Sequence, residues 1–239
     1  MDCKPIIREF ESHQGLISYE RRGKNLTKFI TSDWHFFHNN ACGPEGFIST
    51  RKKFSSVEEM NDNIIKTINQ KVGRDDTIIH LGDIGFGKPK KLFETLEKIN
   101  GQIILIKGNH DSSKLFKYIV NNNYHYPYSN PKKRKQSPDR VKFLVEEVGL
   151  REKMNGKVYY LTHYPLQLGE QRKNMRSICG HIHEQIAPDA NMINVGIDSP
   201  EITSKISNFG EPLLLEDAVE LVDKKWEKWY NDTIRILGS

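Results

Sequence analysis

Five short apolar runs in this chain each end abruptly in aspartate, asparagine or histidine, and no other feature of the sequence restricts the fold as much. Lys28-Phe29-Ile30-Thr31 runs into Ser32-Asp33-Trp34-His35, and Thr77-Ile78-Ile79-His80-Leu81 into Gly82-Asp83. Ile103-Ile104-Leu105-Ile106-Lys107 runs into Gly108-Asn109-His110-Asp111, Val158-Tyr159-Tyr160-Leu161 into Thr162-His163, and Ser177-Ile178-Cys179 into Gly180-His181-Ile182-His183. Runs of this kind fit strands covered on both faces. Sheets built with crossover helices gather their binding groups just beyond the carboxyl ends of the strands.

Helical segments lie between several of these runs. Ser56 and Glu59 form a capping box ahead of Val57, Met60, Ile64, Ile65, Ile68 and Val72, which share one helical face. Pro89 opens a second helix through Leu92, Phe93, Leu96 and Ile99, stopped by Asn100-Gly101. That helix joins two buried strands, a βαβ crossover that implies a parallel pair. Ser112 caps a third helix carrying Leu115, Phe116, Ile119 and Val120. Val141 to Val148, the turn at Asn155-Gly156, and Lys157 to Thr162 read as a hairpin. The segment from about 216 to 236 carries Val219, Val222, Trp226, Trp229 and Ile234 in helical rhythm and reads as a helix docked on a single domain spanning 1–239.

Composition narrows the partners. The 239 residues include 36 basic and 31 acidic ones, a net charge of +5 that suits acidic substrates but falls short of a nucleic-acid coat. No apolar run approaches the roughly 18 residues that span a bilayer. Met1-Asp2-Cys3-Lys4-Pro5 is followed by charged residues, which does not read as a signal peptide. The cysteines Cys3, Cys42 and Cys179 are odd in number and unpaired in spacing, so the expectation is a reducing, cytoplasmic setting without disulfides and without a membrane.

Taken singly, each polar strand end has an ordinary structural explanation. Asp33 can cap a turn, Asn109 can make an Asx-turn, and His163 can be a hydrogen-bonded core histidine. The coincidence at all five ends is the signal. Carboxylate, carboxamide and imidazole donors without a usable thiolate suit Mn²⁺, Fe²⁺ or Zn²⁺. Two such ions about 3.5–4 Å apart can clamp the attacking and leaving oxygens of a phosphoryl group, with a bridging hydroxide as nucleophile.

The blocks Asp33-Trp34-His35, Gly82-Asp83-Ile84-Gly85, Gly108-Asn109-His110-Asp111, His163 and Gly180-His181-Ile182-His183 stand in the order D-x-H, GD, GNHD, H, GHxH. In this the chain resembles the calcineurin-like metallophosphoesterases from residue 28 to about 200. The resemblance implies an αββα sandwich of two mixed sheets flanked by helices. It also implies one ion held by Asp33, His35 and His183, a bridging Asp83, and a second ion held by Asn109, His163 and His181. His110 resembles the family's phosphate-contacting acid, and Asp111 the residue that orients its imidazole. The cofactors implied are two divalent ions, manganese first, with iron or zinc as alternatives.

His35-Phe36-Phe37-His38-Asn39-Asn40 and Arg51-Lys52-Lys53-Phe54 resemble a prokaryotic and phage-type subgroup of small phosphoesterases. That likeness implies His38 and Arg51 at the pocket mouth, with Arg51 either a phosphate clamp or a solvated loop charge. The Asp-Arg-Gly and Gly-Asn-His-Glu pattern of protein phosphatases is absent.

The expected activity is metal-dependent hydrolysis of a phosphate ester, favoured as a phosphodiester of a nucleotide-like substrate. The rivals are a nuclease, a phosphomonoesterase and a non-catalytic protein-binding scaffold. Lys132-Lys133-Arg134-Lys135, within the polar stretch 128–140, reads as a solvated loop that could steer a polyanion or close over a nucleotide. Tyr124, Tyr126 and Tyr128 read as packing that loop to the body. Asn194-Val195-Gly196-Ile197-Asp198 reads as the end of a strand with no chemistry of its own.

Overall fold

A computed structural model of the protein describes residues 27–136, 140–169 and 173–237. The Met1–Pro5 start, and Cys3 with it, lie outside these residues. The chain runs through β1 (Lys28–Thr31), α1 (Val57–Lys71), β2 (Thr77–His80), α2 (Pro89–Glu97), β3 (Gln102–Ile106) and α3 (Ser113–Asn121). It continues through α4 (Pro131–Gln136), β4 (Phe143–Glu146), β5 (Gly149–Met154), β6 (Lys157–Thr162), β7 (Met175–Cys179) and β8 (Met192–Asn194). It closes with β9 (Leu213–Leu214) and α5 (Leu215–Leu237).

Two mixed sheets result, flanked by helices. The first has the order β4-β3-β2-β1-β9, parallel except for β9. The second has the order β5-β6-β7-β8, with β5 and β6 antiparallel and the others parallel. Successive strand residues point to opposite faces, and this alternation builds the layers. Phe29, Ile78 and Ile103 pack with Met60, Ile64, Leu96 and Phe116 of the helices. On the opposite face Ile30, Ile79 and Ile106 join Tyr159, Leu161, Ile178 and Ile193 of the second sheet. Each such fully buried side chain contributes about 1.5–3 kcal/mol.

The helices begin where their caps stand. Ser56 accepts the Glu59 N–H at 3.1 Å, while Glu59 reaches back to the Ser55 N–H at 2.7 Å, one residue earlier than in the usual box. Pro89 occupies the first turn of α2, and Ser112 caps α3 by accepting the Leu115 N–H. Helix α5 packs Ala218, Val219 and Val222 into the core, and Trp226 is buried beneath the Arg176 guanidinium.

Two expectations are corrected. The run from Val141 is not the hairpin partner of Lys157–Thr162. Phe143–Glu146 pairs in parallel with β3 as an edge strand of the first sheet, and the hairpin arm is Gly149–Met154. Gly149, at φ 159°, lies against the Leu161 carbonyl, where no side chain fits; the chain changes sheets there. The basic stretch is likewise not simply a solvated loop. Pro131–Gln136 forms a short helix anchored by Asp75, which accepts the Ser129 N–H at 2.5 Å and the Asn130 N–H at 3.1 Å. Asp75 precedes the amino end of β2, so the basic helix lies at the opposite end of the sheet from Asp83. Tyr126 and Tyr128 stack with Arg140, consistent with a packing role.

The sheets meet at their carboxyl ends. Ser32, just after β1, bridges in parallel to Gly196, just after β8, and its carbonyl accepts the Ile197 N–H at 3.1 Å. That junction brings the polar ends of both sheets to one place.

Candidate metal centre

Beyond the strand ends the backbone departs from regular geometry. Asp33 (φ 61°), His35 (φ 49°), Asp83 (φ 60°), His181 (φ 71°) and His183 (φ 48°) are all left-handed, a costly conformation for residues other than glycine. Among the described non-glycine residues only Phe37 and Asn155 otherwise share it. Strain is therefore concentrated on the candidate ligands. Two glycines permit the close approach. A Cβ on Gly180 would collide with Ser32 and Asp33, and one on Gly108 would collide with Asp83.

The side chains form two groups. Asp33, His35 and His183 bring their donor atoms within 4.8 Å of one another, and so do Asp83, His163 and His181. Asp83 lies between the groups. Its Oδ2 is 3.6 Å from His35 Nε2 and 3.5 Å from His163 Nε2. Asn109 Oδ1 is 2.8 Å from His163 Nε2, which places it in the second group. The turns are cross-tied as well: the His181 N–H donates to Asp33 Oδ2 at 3.0 Å, and the His110 N–H to Asp83 Oδ1 at 2.9 Å.

These residues fit cations. Both ring nitrogens of His35 are buried without a hydrogen-bond partner, an arrangement that wastes an imidazole unless something electrophilic occupies it. Burial raises the Asp33 carboxyl to about 7, against the lowering charge of His183. Burial also lowers His35, His163 and His181, which favours their neutral rings, whereas the Asp198 hydrogen bond and the Asp33 charge raise His183 against its burial. A low-charge, oxygen-and-nitrogen donor set of this kind is suited to divalent first-row ions.

The remaining predicted residues divide. His110 is exposed at the mouth, its ring 5.6 Å from that of His35 and 5.1 Å from Phe86. His38 sits half-buried beside it, edge-on to Phe86 at 4.2 Å. Asp111 does not orient the His110 imidazole. Its carboxylate accepts the N–H groups of Asp83, Ile84 and Gly108 at 2.8–2.9 Å, which lashes the Asp83 turn to the Asn109 turn. Burial raises its pKa to about 6.

Arg51 is neither a phosphate clamp nor a solvated charge, because it is 0% exposed. Its five N–H groups are already engaged. Nε donates to Asp198 Oδ1 at 2.9 Å, and Nη2 to Asp198 Oδ2 at 2.5 Å and the Asp33 carbonyl at 2.6 Å. Nη1 faces the Trp34 carbonyl at 3.1 Å and Met60 Sδ at 3.9 Å.

Sequence reasoning missed three residues of this region. Asp198 stands just past a buried run and a glycine, much as three of the five recognised ends do. Phe86, directly after Gly82-Asp83-Ile84-Gly85, touches the rings of His35, His38 and His110. Tyr164, next to His163, lies edge-on to the rings of His163 and His181.

The family model for the calcineurin-like phosphoesterase superfamily domain matches residues 29–201. The chain belongs to that superfamily. An uncharacterized protein of Methanocaldococcus jannaschii is 39% identical over 101 residues, which are 41% of this chain and 54% of that protein. The matched part thus spans about half the length of that relative. Among solved structures, a protein of unknown function from Aquifex aeolicus aligns with TM-score 0.50 at 19% identity, covering 82% of this chain and 100% of that one. The E. coli phosphoesterase Yfce aligns with TM-score 0.35 at 15% identity, over 73% of this chain and 80% of that one. No helix among the described residues is long and apolar enough to cross a membrane.

Proposed function

We propose that the protein hydrolyses a phosphodiester of a nucleotide-like substrate with the help of two divalent ions. The observation that carries this reading is the pair of donor groups with Asp83 between them. Asp33, His35 and His183 would hold one ion. Asn109, His163 and His181 would hold the other, with Asp83 shared. When bound, such ions supply positive charge to the phosphoryl oxygens and make water a nucleophile near neutral pH.

The chain's own groups supply the rest. His110, exposed at the mouth, would give a ring proton to the departing oxygen, which an alkoxide leaving group needs. Phe47 is 63% exposed with its ring 5.4 Å from His38, and Tyr164 is 53% exposed beside His181. With Phe86 they offer flat apolar surfaces on which a base can stack. The mouth therefore presents imidazoles and aromatic rings, while the guanidinium expected there is withdrawn into the core. That favours a singly charged diester carrying a planar group over a doubly charged monoester. The basic helix at the far end of the sheet lends no support to a nuclease.

The test is hydrolysis of bis(p-nitrophenyl) phosphate and p-nitrophenyl phosphate by metal-stripped protein, before and after addition of Mn²⁺. The expected result is Mn²⁺-dependent cleavage that favours the diester and is lost in Asp83→Ala. Faster monoester cleavage would overturn the diester assignment, and no Mn²⁺ dependence would overturn the metal assignment.

A further inference from the structure

We propose that Arg51 and Asp198 are positioning residues, a buried ion pair that fixes the backbone of Asp33 and the imidazole of His183 and so sets the geometry of the first donor group. The inference rests on the reading of Asp33, His35 and His183 as a metal site.

The residues are 147 positions apart in sequence, yet both side chains are 0% exposed and joined through two parallel N–H···O contacts of 2.9 and 2.5 Å. A guanidinium and a carboxylate so deeply buried are costly to desolvate, and the pair endures only if every remaining donor and acceptor is satisfied. Here the partners that satisfy them lie around the donor group. The free edge of the guanidinium is spent on the carbonyls of Asp33 and Trp34, the segment that turns left-handed to present Asp33 and His35. Asp198 Oδ2 lies 3.3 Å from His183 Nδ1. A proton held on Nδ1 by that carboxylate leaves Nε2 as the free lone pair and fixes the plane of the ring.

The loop that delivers Arg51 is pinned to the same elements. Thr50 Oγ1 donates to Asp198 Oδ1 at 2.6 Å. The Glu184 carboxylate, one residue after His183, accepts the N–H groups of Ser49 and Thr50 at 3.2 and 3.0 Å. The short turn Ser49–Arg51 thus ties the Asp33 turn, the His183 turn and Asp198 into one unit. Among the described residues no corresponding cation stands behind the second group, where Asp111 accepts from backbone N–H groups.

The experiment measures Mn²⁺ binding to metal-stripped protein by isothermal titration calorimetry, with circular dichroism and thermal melting alongside. Wild type is expected to bind two ions. Asp198→Asn should weaken one of them by about 10- to 100-fold, the range for lost partners of a ligating histidine, and leave the other unchanged. Arg51→Met strands a buried carboxylate and Asp198→Asn a buried guanidinium, and either can fail to fold, so the double variant Arg51→Met/Asp198→Leu is measured with them. That variant removes both charges and is expected to melt near wild type while still binding one ion weakly. Two ions at wild-type affinity in the folded variants would overturn the brace. Equal weakening of both ions would also overturn it, since the effect would then be general. Absence of two-site binding in wild type would instead overturn the reading of the metal site itself.

Discussion

The two donor groups meet the same structural demand by different means. Each presents an aspartate from a left-handed turn after a parallel strand, with a glycine from another turn pressed against its carboxylate. Each has a second, buried carboxylate behind it. Asp198 is pushed up by burial, but Arg51, His183 and Thr50 hold it well below the ordinary carboxylate range. Asp111 has only backbone N–H groups, and burial prevails, raising it to about 6. The contrast shows that burial does not settle a carboxylate's charge; the partner does. It also divides the tasks: the ion pair orients a ligand ring, whereas Asp111 joins two turns.

The sharpest way to break the comparison is at the glycines. Gly108→Ala would drive a methyl group into Asp83, which lies between the two groups, whereas Gly180→Ala would strike Ser32 and Asp33 of the first group only. Each should cost about 1–3 kcal/mol as overpacking. Gly108→Ala should weaken both Mn²⁺ sites, and Gly180→Ala one. Equal patterns from the two variants would erase the distinction between a shared and an unshared carboxylate.

A comparable effect on stability is expected from Asp111→Asn. The amide nitrogen must face at least one of the three N–H donors, leaving it unsatisfied at a cost of about 1–3 kcal/mol in urea unfolding. Wild-type stability in that variant would contradict the account of Asp111 as the tie between turns. Least disruptive to either group is His110→Ala, since the exposed ring braces nothing. Mn²⁺ binding and melting should stay at wild-type values, while turnover of an alkyl diester falls about 10²–10⁴-fold and that of an aryl diester much less. Equal losses on both substrates would show that His110 binds phosphate rather than delivering a proton.

Much of this arrangement was legible in the sequence because the ligands adjoin the strands that place them. An apolar run followed by Gly-Asp or Gly-Asn-His-Asp states both the strand and the residues at its end, and helices opened by Ser56, Pro89 and Ser112 begin where those residues stand. What escaped depends on partners far apart in the chain. Arg51 next to Lys52 and Lys53 looks like one more surface cation until Asp198 is folded against it. Asp111 beside His110 invites a local pairing, but its carboxylate turns to amides across the Asp83 turn, 27 and 28 residues away. Phe143–Glu146 is close in sequence to Lys157–Thr162, yet it pairs with β3 at the first sheet's edge, with Phe143 in the core, and Gly149 lets the chain cross over. The basic segment carried charge without position, and only its anchor on Asp75 shows it to be remote from the donors.

The most direct test of the central claim is the number of Mn²⁺ ions bound per chain, measured by elemental analysis after metal-stripped protein is reloaded and dialysed. Two paired donor groups predict two ions in wild type, one in Asp33→Ala and fewer than one in Asp83→Ala, with all three proteins folded by circular dichroism. One ion or none in folded wild type, or two retained in Asp83→Ala, would contradict a two-ion centre built around that carboxylate.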